Sequence, residues 1–171
     1  RLALVGHISP EDDPVQQNDC VTNLFPLHTE FALPGLDLII PAVGDRDHPL
    51  INLGVLSASS AAQQLDKPGV MSESLACSGL DFTADQAAGI LRWQLLMGVT
   101  TPVVHCAYNS VEGLRRTEAP PDFGPESSRW PGMVALGREL AALQPVVRDA
   151  KQIAPVALLW PIRSFAVLPP A

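Results

Sequence analysis

Glu73, His7 and His105 each stand where a short apolar run gives way to small or polar residues, the placement by which α/β sheets expose groups for chemistry. Glu73 is the sharpest case. In Lys67-Pro68-Gly69-Val70-Met71-Ser72-Glu73-Ser74 a single carboxylate ends an apolar strand. A charged group at the carboxyl end of a parallel strand faces the crevice where such folds bind ligands, whereas one at the amino end serves stability. Taken alone, the segment reads equally as an ordinary loop glutamate in solvent. His7 follows Leu2-Ala3-Leu4-Val5-Gly6, His105 follows the run from Val99 to Val104, and Asp45 and Arg46 lie in the loop after Leu36 to Pro41. If these strands are parallel neighbours, the groups converge on one rim.

Two carboxyl groups flanking a sugar linkage make a glycosidase, close together for retention and farther apart for inversion. Glu73 and Glu11 are the carboxylates on offer. With retention, Glu73 is the nucleophile and the acid/base carboxylate belongs to an earlier strand outside this chain. With inversion, Glu11 partners it. Retention is favoured because Glu11 opens the acidic run Glu11-Asp12-Asp13, and such runs are usually a solvated face. The alternative chemistry is a metal-dependent hydrolase or aldolase-type barrel using His7, His105 and Glu73, with Asp45 as a further ligand. No His-x-His or His-x-x-x-His spacing supports it, and hydrogen bonding of His7 and His105 to sugar hydroxyls is the simpler role. Each histidine also reads as a buried, satisfied core side chain. No metal or other cofactor is expected.

Cys106 beside His105 suggests thiol chemistry, yet neighbouring residues of a strand point to opposite faces, so the two would not meet. Tyr108, Asn109 and Trp130 follow the fourth apolar run, where aromatic rings could stack on the C–H faces of a sugar. Trp93 lies inside a helical pattern and reads as packing bulk. The stretch 119–130 reads as a lid-like loop.

Positioning these groups falls to a repeated rhythm of short apolar run, polar loop and longer helical pattern, which predicts βα units and a parallel sheet. Strands are expected at Leu2 to His7, Leu36 to Pro41, Val70 and Met71 leading to Glu73, and Val99 to Val104. A helix from Ile51 to Leu65 follows the second. Another starts at the capping box Thr83-Ala84-Asp85-Gln86 and runs to Met97, with Gly98 as its stop and Ala87, Ile90, Leu91 and Leu95 as its apolar stripe. A last helix carries Leu136, Leu140, Leu143 and Val147 on one face. The segment from Ala154 to Pro161 reads as the first strand of a following domain, which divides the chain into 1–152 and 153–171.

The 171 residues are enough for one core but short of the roughly 250 of a complete TIM barrel. Both ends read as cut, so the barrel reading implies part of a larger protein. A composition 47% hydrophobic and 17% charged lies outside the disordered regime, and a packed core follows. With a net charge of −7 and Arg115-Arg116 as the single adjacent basic pair, no nucleic-acid partner is expected. No apolar stretch reaches the ~18 residues of a spanning helix, so no membrane partner is expected either. Cys20, Cys77 and Cys106 follow no metal, redox or disulfide spacing. Compartment and oligomeric state stay open.

One succession ties these residues together. Gly6-His7 with Glu11, Pro34-Gly35-Leu36-Asp37, Ser72-Glu73-Ser74, His105 with Tyr108-Asn109-Ser110, Gly113-Leu114-Arg115-Arg116, Pro120-Pro121, Trp130 and Val156-Ala157-Leu158-Leu159-Trp160-Pro161 together resemble the carboxyl-terminal half of large bacterial TIM-barrel glycoside hydrolases, β-galactosidase-like or α-L-rhamnosidase-like. The resemblance implies a partial (β/α) barrel of about the last four βα units, a carbohydrate substrate, and Glu73 as the seventh-strand nucleophile. His105-Cys106 departs from it, since many such retaining enzymes carry a Trp there. A non-catalytic carbohydrate-binding α/β module is the remaining alternative.

Overall fold

Parallel strands can be joined only by a crossover long enough to return the chain to the same end of the sheet. Helices supply each return. The computed structural model describes residues 2–21, 23–39, 42–43, 46–47 and 51–165. Within them β1 (Val5–Gly6), β2 (Leu33–Leu38), β3 (Met71–Ser74) and β4 (Thr101–Val104) form one sheet in the order β1-β2-β3-β4, every neighbouring pair parallel. Helices α1 (Pro14–Val21) and α2 (Leu24–His28) connect β1 to β2, α3 (Ile51–Gln64) connects β2 to β3, and α4 (Ala84–Leu96) connects β3 to β4. A 3-10 helix (Gly113–Thr117), α5 (Trp130–Asp149) and α6 (Ile162–Phe165) follow.

Strand order that follows chain order has a consequence for layering. Right-handed crossovers advancing always in one direction lay their helices on one face of the sheet, whereas a doubly wound sheet reverses direction to cover both. The core sits on that single face. Leu36 and Leu38 of β2 pack with Val55, Ala58 and Ala62 of α3, with Ala87, Ile90, Leu91 and Leu95 of α4, and with Leu136 and Leu140 of α5. Ser72 and Ser74 of β3 point the same way and are fully buried; their hydroxyls lie 2.7 Å apart, and Ser74 also bonds the buried Gln94 amide of α4 at 3.0 Å. Because strand residues alternate, Gly35, Asp37, Met71 and Glu73 belong to the opposite face.

The strands enter the sheet through tight contacts. A Cβ on Gly35 would lie 2.3 Å from the Gly6 carbonyl oxygen, so β1 and β2 can approach only with glycine there. A Cβ on Gly69 would lie 1.9 Å from Thr100 Oγ1, the atom that accepts the Val70 N–H at 3.2 Å. This fastening precedes the pairings Met71 with Thr101 and Glu73 with Val103.

The expected helix start at Thr83 is present as a full capping box, with the Thr83 hydroxyl accepting from the Gln86 amide and the Gln86 side chain accepting from Thr83 N–H. Gly98 ends the turn after α4 at a φ of +101°, the left-handed region that favours glycine. Strand boundaries differ from expectation. β2 begins at Leu33, three residues before Leu36, because Leu33 and Pro34 already pair with Val5 and Gly6; it ends at Leu38, and Pro41 lies outside the described residues.

The expected strand from Ala154 to Pro161 is not formed. Pro155 and Pro161 lack the N–H a ladder needs, and Ile153, Val156, Leu158 and Leu159 are exposed with no strand beside them among the described residues. The chain passes instead into α6, whose Ile162 is buried and which lies against α1. The stretch 119–130 is no free lid either. Phe123 is in the core, edge-on to Phe82 with centroids 6.4 Å apart, and the Arg129 guanidinium donates to the carbonyls of Leu80 and Phe82. All three cysteines are free, and among the described residues no helix is long and apolar enough to cross a membrane.

Candidate active site

The face of the sheet without helices carries the charge. Glu73, next to last in β3, is a third exposed and directs Oε2 to Nε2 of His7 at 3.1 Å. His7 stands just past the end of β1, and its Nδ1 lies 3.1 Å from Oε1 of Glu11. The same Glu11 oxygen accepts the Asp37 N–H of β2 at 3.1 Å. Three segments that are far apart in sequence are thereby tied at one end of the sheet, Glu11 behind, His7 between, Glu73 in front.

Glu11 corrects the sequence reading. It opens an acidic run that reads as solvated, yet only 4% of it is exposed, because the turn after β1 folds its side chain under the sheet's end while Asp13 turns outward to cap α1 by accepting from Val15 and Gln16. Burial lifts its pKa from 4.5 to about 7, opposed by the His7 ring and by the amides of Glu11 and Asp37, and reinforced by the Asp37 charge. The His7 ring thus bridges the two carboxyl groups, with Glu11 at one nitrogen and Glu73 at the other.

Asp37 is the site residue that the sequence reading missed. It is the register partner of Glu73 on the adjacent strand and shares its face. Oδ1 is buried with no hydrogen-bond partner. Burial raises its pKa, with the His7 and His105 charges opposing and Glu73 and Asp12 adding to the rise. The signal was present in Leu36-Asp37-Leu38-Ile39: a carboxylate inside an apolar strand is costly to bury and seldom sits there without a role.

His105 extends β4 by donating its N–H to the Ser74 carbonyl at 2.9 Å, and its Nδ1 is buried without a partner. With Cys106, Ala107, Tyr108, Asn109, Arg115 and Glu118 it lines a cavity of about 210 Å³. Three residues expected to bind substrate, His105, Tyr108 and Asn109, are thus brought together. Asp122 holds the loop by accepting from Tyr108 N–H and Gly124 N–H, both at 2.9 Å, and the Tyr108 hydroxyl donates to the Glu118 carbonyl. Trp130 is not among them; it opens α5, half-exposed, and lines neither this cavity nor the apolar one of about 310 Å³ between α4, β4 and α5.

His105 and Cys106 both line the cavity because they lie past the end of β4, where strand alternation no longer applies. Thiolate chemistry is still disfavoured: burial pushes the Cys106 thiol up, and Asp122, Glu118 and Glu73 push it further. Among the described residues no group of three or more His, Cys, Asp or Glu side chains is arranged to hold a metal ion, and Asp45, the further ligand of the metal reading, lies outside the described residues. The chain matches no family model, no curated protein and no solved structure.

Proposed function

We propose that this chain is the carboxyl-terminal part of a TIM-barrel glycoside hydrolase, β-galactosidase-like or α-L-rhamnosidase-like, and that it hydrolyses O-glycosidic bonds of a carbohydrate with Glu73 as nucleophile. The observation that carries this reading is the Glu73 carboxylate on the helix-free face, held through Oε2 by His7 Nε2. A nucleophile must be ionised, oriented and reachable, and this one is a third exposed. Strands in chain order with helices on one face are the winding of a (β/α) barrel, in which catalytic groups occupy this end of the strands. The cavity of His105, Tyr108, Asn109 and Arg115 offers hydrogen-bonding groups and a ring beside it, the mixture that sugar hydroxyls and C–H faces use.

The test is chemical rescue in the intact protein. Against a panel of 2,4-dinitrophenyl glycosides including the β-galactoside and the α-L-rhamnoside, Glu73→Ala should be nearly inactive. Azide should restore turnover and yield a glycosyl azide of inverted anomeric configuration. Full activity of Glu73→Ala without azide would sink the assignment.

A further inference from the structure

We infer that the sugar unit next to the scissile bond is an acidic one, its carboxylate held by the guanidinium of Arg115 in the cavity past the end of β4. The inference rests on the glycoside-hydrolase reading and adds the chemical class of the unit that leaves. Glu73 does not line that cavity, so the sugar whose anomeric carbon meets Glu73 lies outside it and the adjoining unit occupies it. The two places are neighbours. His105 donates its N–H to the carbonyl of Ser74, the residue after Glu73, and the Glu73 charge reaches the Cys106 thiol. The cavity of about 210 Å³ is smaller than the roughly 300–1,000 Å³ of drug-sized sites, which suits one sugar ring rather than a chain of them.

The lining of this cavity has donors to spare. Arg115 belongs to the 3-10 helix Gly113–Thr117, and its guanidinium has neither a hydrogen bond nor an ion pair among the described residues. The side-chain amide of Asn109 is likewise unbonded among them, and His105 Nδ1 is buried without a partner. The Tyr108 hydroxyl already donates to the Glu118 carbonyl, which leaves its ring as a wall. A guanidinium presents its N–H groups as a planar fork and accepts nothing, and the two oxygens of a carboxylate match that fork with two parallel bonds. Single hydroxyls would use only half of it.

Glu118 decides where in the cavity the charge goes. It lines the same wall and makes no ion pair with Arg115. An anion placed against Glu118 is repelled, whereas a ring hydroxyl there finds an acceptor, so the sugar is oriented with its carboxylate toward Arg115 and its hydroxyls toward Glu118. The surrounding charge sharpens this choice. In a chain of net charge −7, an arginine with no acidic partner beside the candidate nucleophile is a local attraction for an anion that the rest of the surface opposes.

Disaccharides that join galactose or rhamnose to D-galacturonic acid provide the test, set against the same disaccharides as uronate methyl esters, which keep the shape and lose the charge. The intact wild-type protein should prefer the acid in kcat/KM, and the preference should shrink as added salt screens an exposed charge. Arg115→Gln should lower the acid-to-ester ratio roughly 10- to 150-fold, the weight of hydrogen bonds to a charged group, with Arg115→Lys in between. A ratio near one in wild type, or one that Arg115→Gln does not move, overturns the acidic-sugar site and leaves the hydrolase reading in place. Binding separates the two readings from the other side. Glu73→Gln, titrated calorimetrically, should bind D-galacturonate more tightly than galactose 6-sulfate and should lose that binding when Arg115→Gln is added. Tighter binding of the sulfate overturns the assignment to a carboxylate. A protein that binds galacturonate through Arg115 yet cleaves no glycoside overturns the hydrolase reading and keeps the acidic-sugar site.

Discussion

The two faces of the sheet are built from alternate residues of the same strands, and both carry polar groups. On the helix side Ser72, Ser74 and Gln94 are fully buried and bond one another, so the polar atoms satisfy themselves and point nowhere else. On the other side Asp37 and His105 keep buried atoms without partners, and Glu73 is a third exposed. A closed network fixes how α4 seats on β3, whereas an unfinished one has capacity left for a ligand. Polarity inside a fold is therefore no sign of function by itself; unsatisfied polarity facing a crevice is.

Substitutions on each face should break apart accordingly. Glu73→Gln keeps the size and hydrogen bonding of the side chain but removes the charge, and is expected to lower kcat/KM on aryl glycosides on the order of 10⁴-fold or more. Its stability in urea should change by no more than about 0.5 kcal/mol, and wild-type turnover would refute the division between faces. Gln94→Ala inverts this pattern. Opening a cavity and removing the helix-side partner of the Ser74 hydroxyl should cost about 3 kcal/mol in denaturant unfolding, with kcat per folded molecule unchanged.

Glu11 sharpens the comparison, being a buried carboxyl in service of the open face. Its folded pKa of about 7 lies above the ordinary 4.5, so its contribution to stability is full below pH 4.5 and is lost as pH rises through 7. Glu11→Gln lacks that dependence. The stability of wild type relative to the variant should fall by up to about 3 kcal/mol between pH 4.5 and pH 8 in urea titrations, and parallel pH profiles would contradict the burial. The smallest effect is expected from His105→Ala, a loss of about 1–3 kcal/mol in kcat/KM through a missing hydrogen bond, measured against the same glycosides.

Periodicity made the order of elements legible, because the sequence alternates short apolar runs with capped amphipathic helices, and Thr83 with Gln86 marks a helix start without help from the rest of the fold. The convergence of His7, Glu73 and the loop after His105 follows from that order alone. Burial was harder to read. Glu11 and Asp13 are two residues apart in one acidic run, yet only the packing of the turn after β1 decides that the first goes inside and the second caps a helix. β2 was displaced for a similar reason: Pro34 weakens a strand in isolation but is accommodated where Gly6 and Gly35 let two backbones close together. Asp37 was visible as an anomaly and became a site residue only once its register with Glu73 was known.

The fastening of Gly69 to Thr100 gives the location of the charge a further meaning. In a strand, odd and even residues belong to different sides, so a slip of one position in β3 would hand the crevice a serine and send the glutamate toward Gln94. Val103 opposite Glu73 is a plain aliphatic side chain, and the bonds of Glu73 to His7 and of Ser74 to Gln94 form only once the register is right. The choice is made at the strand's entrance, at the far end from the chemistry, where a missing Cβ admits a threonine hydroxyl and sets the count from which Glu73 falls on the odd side.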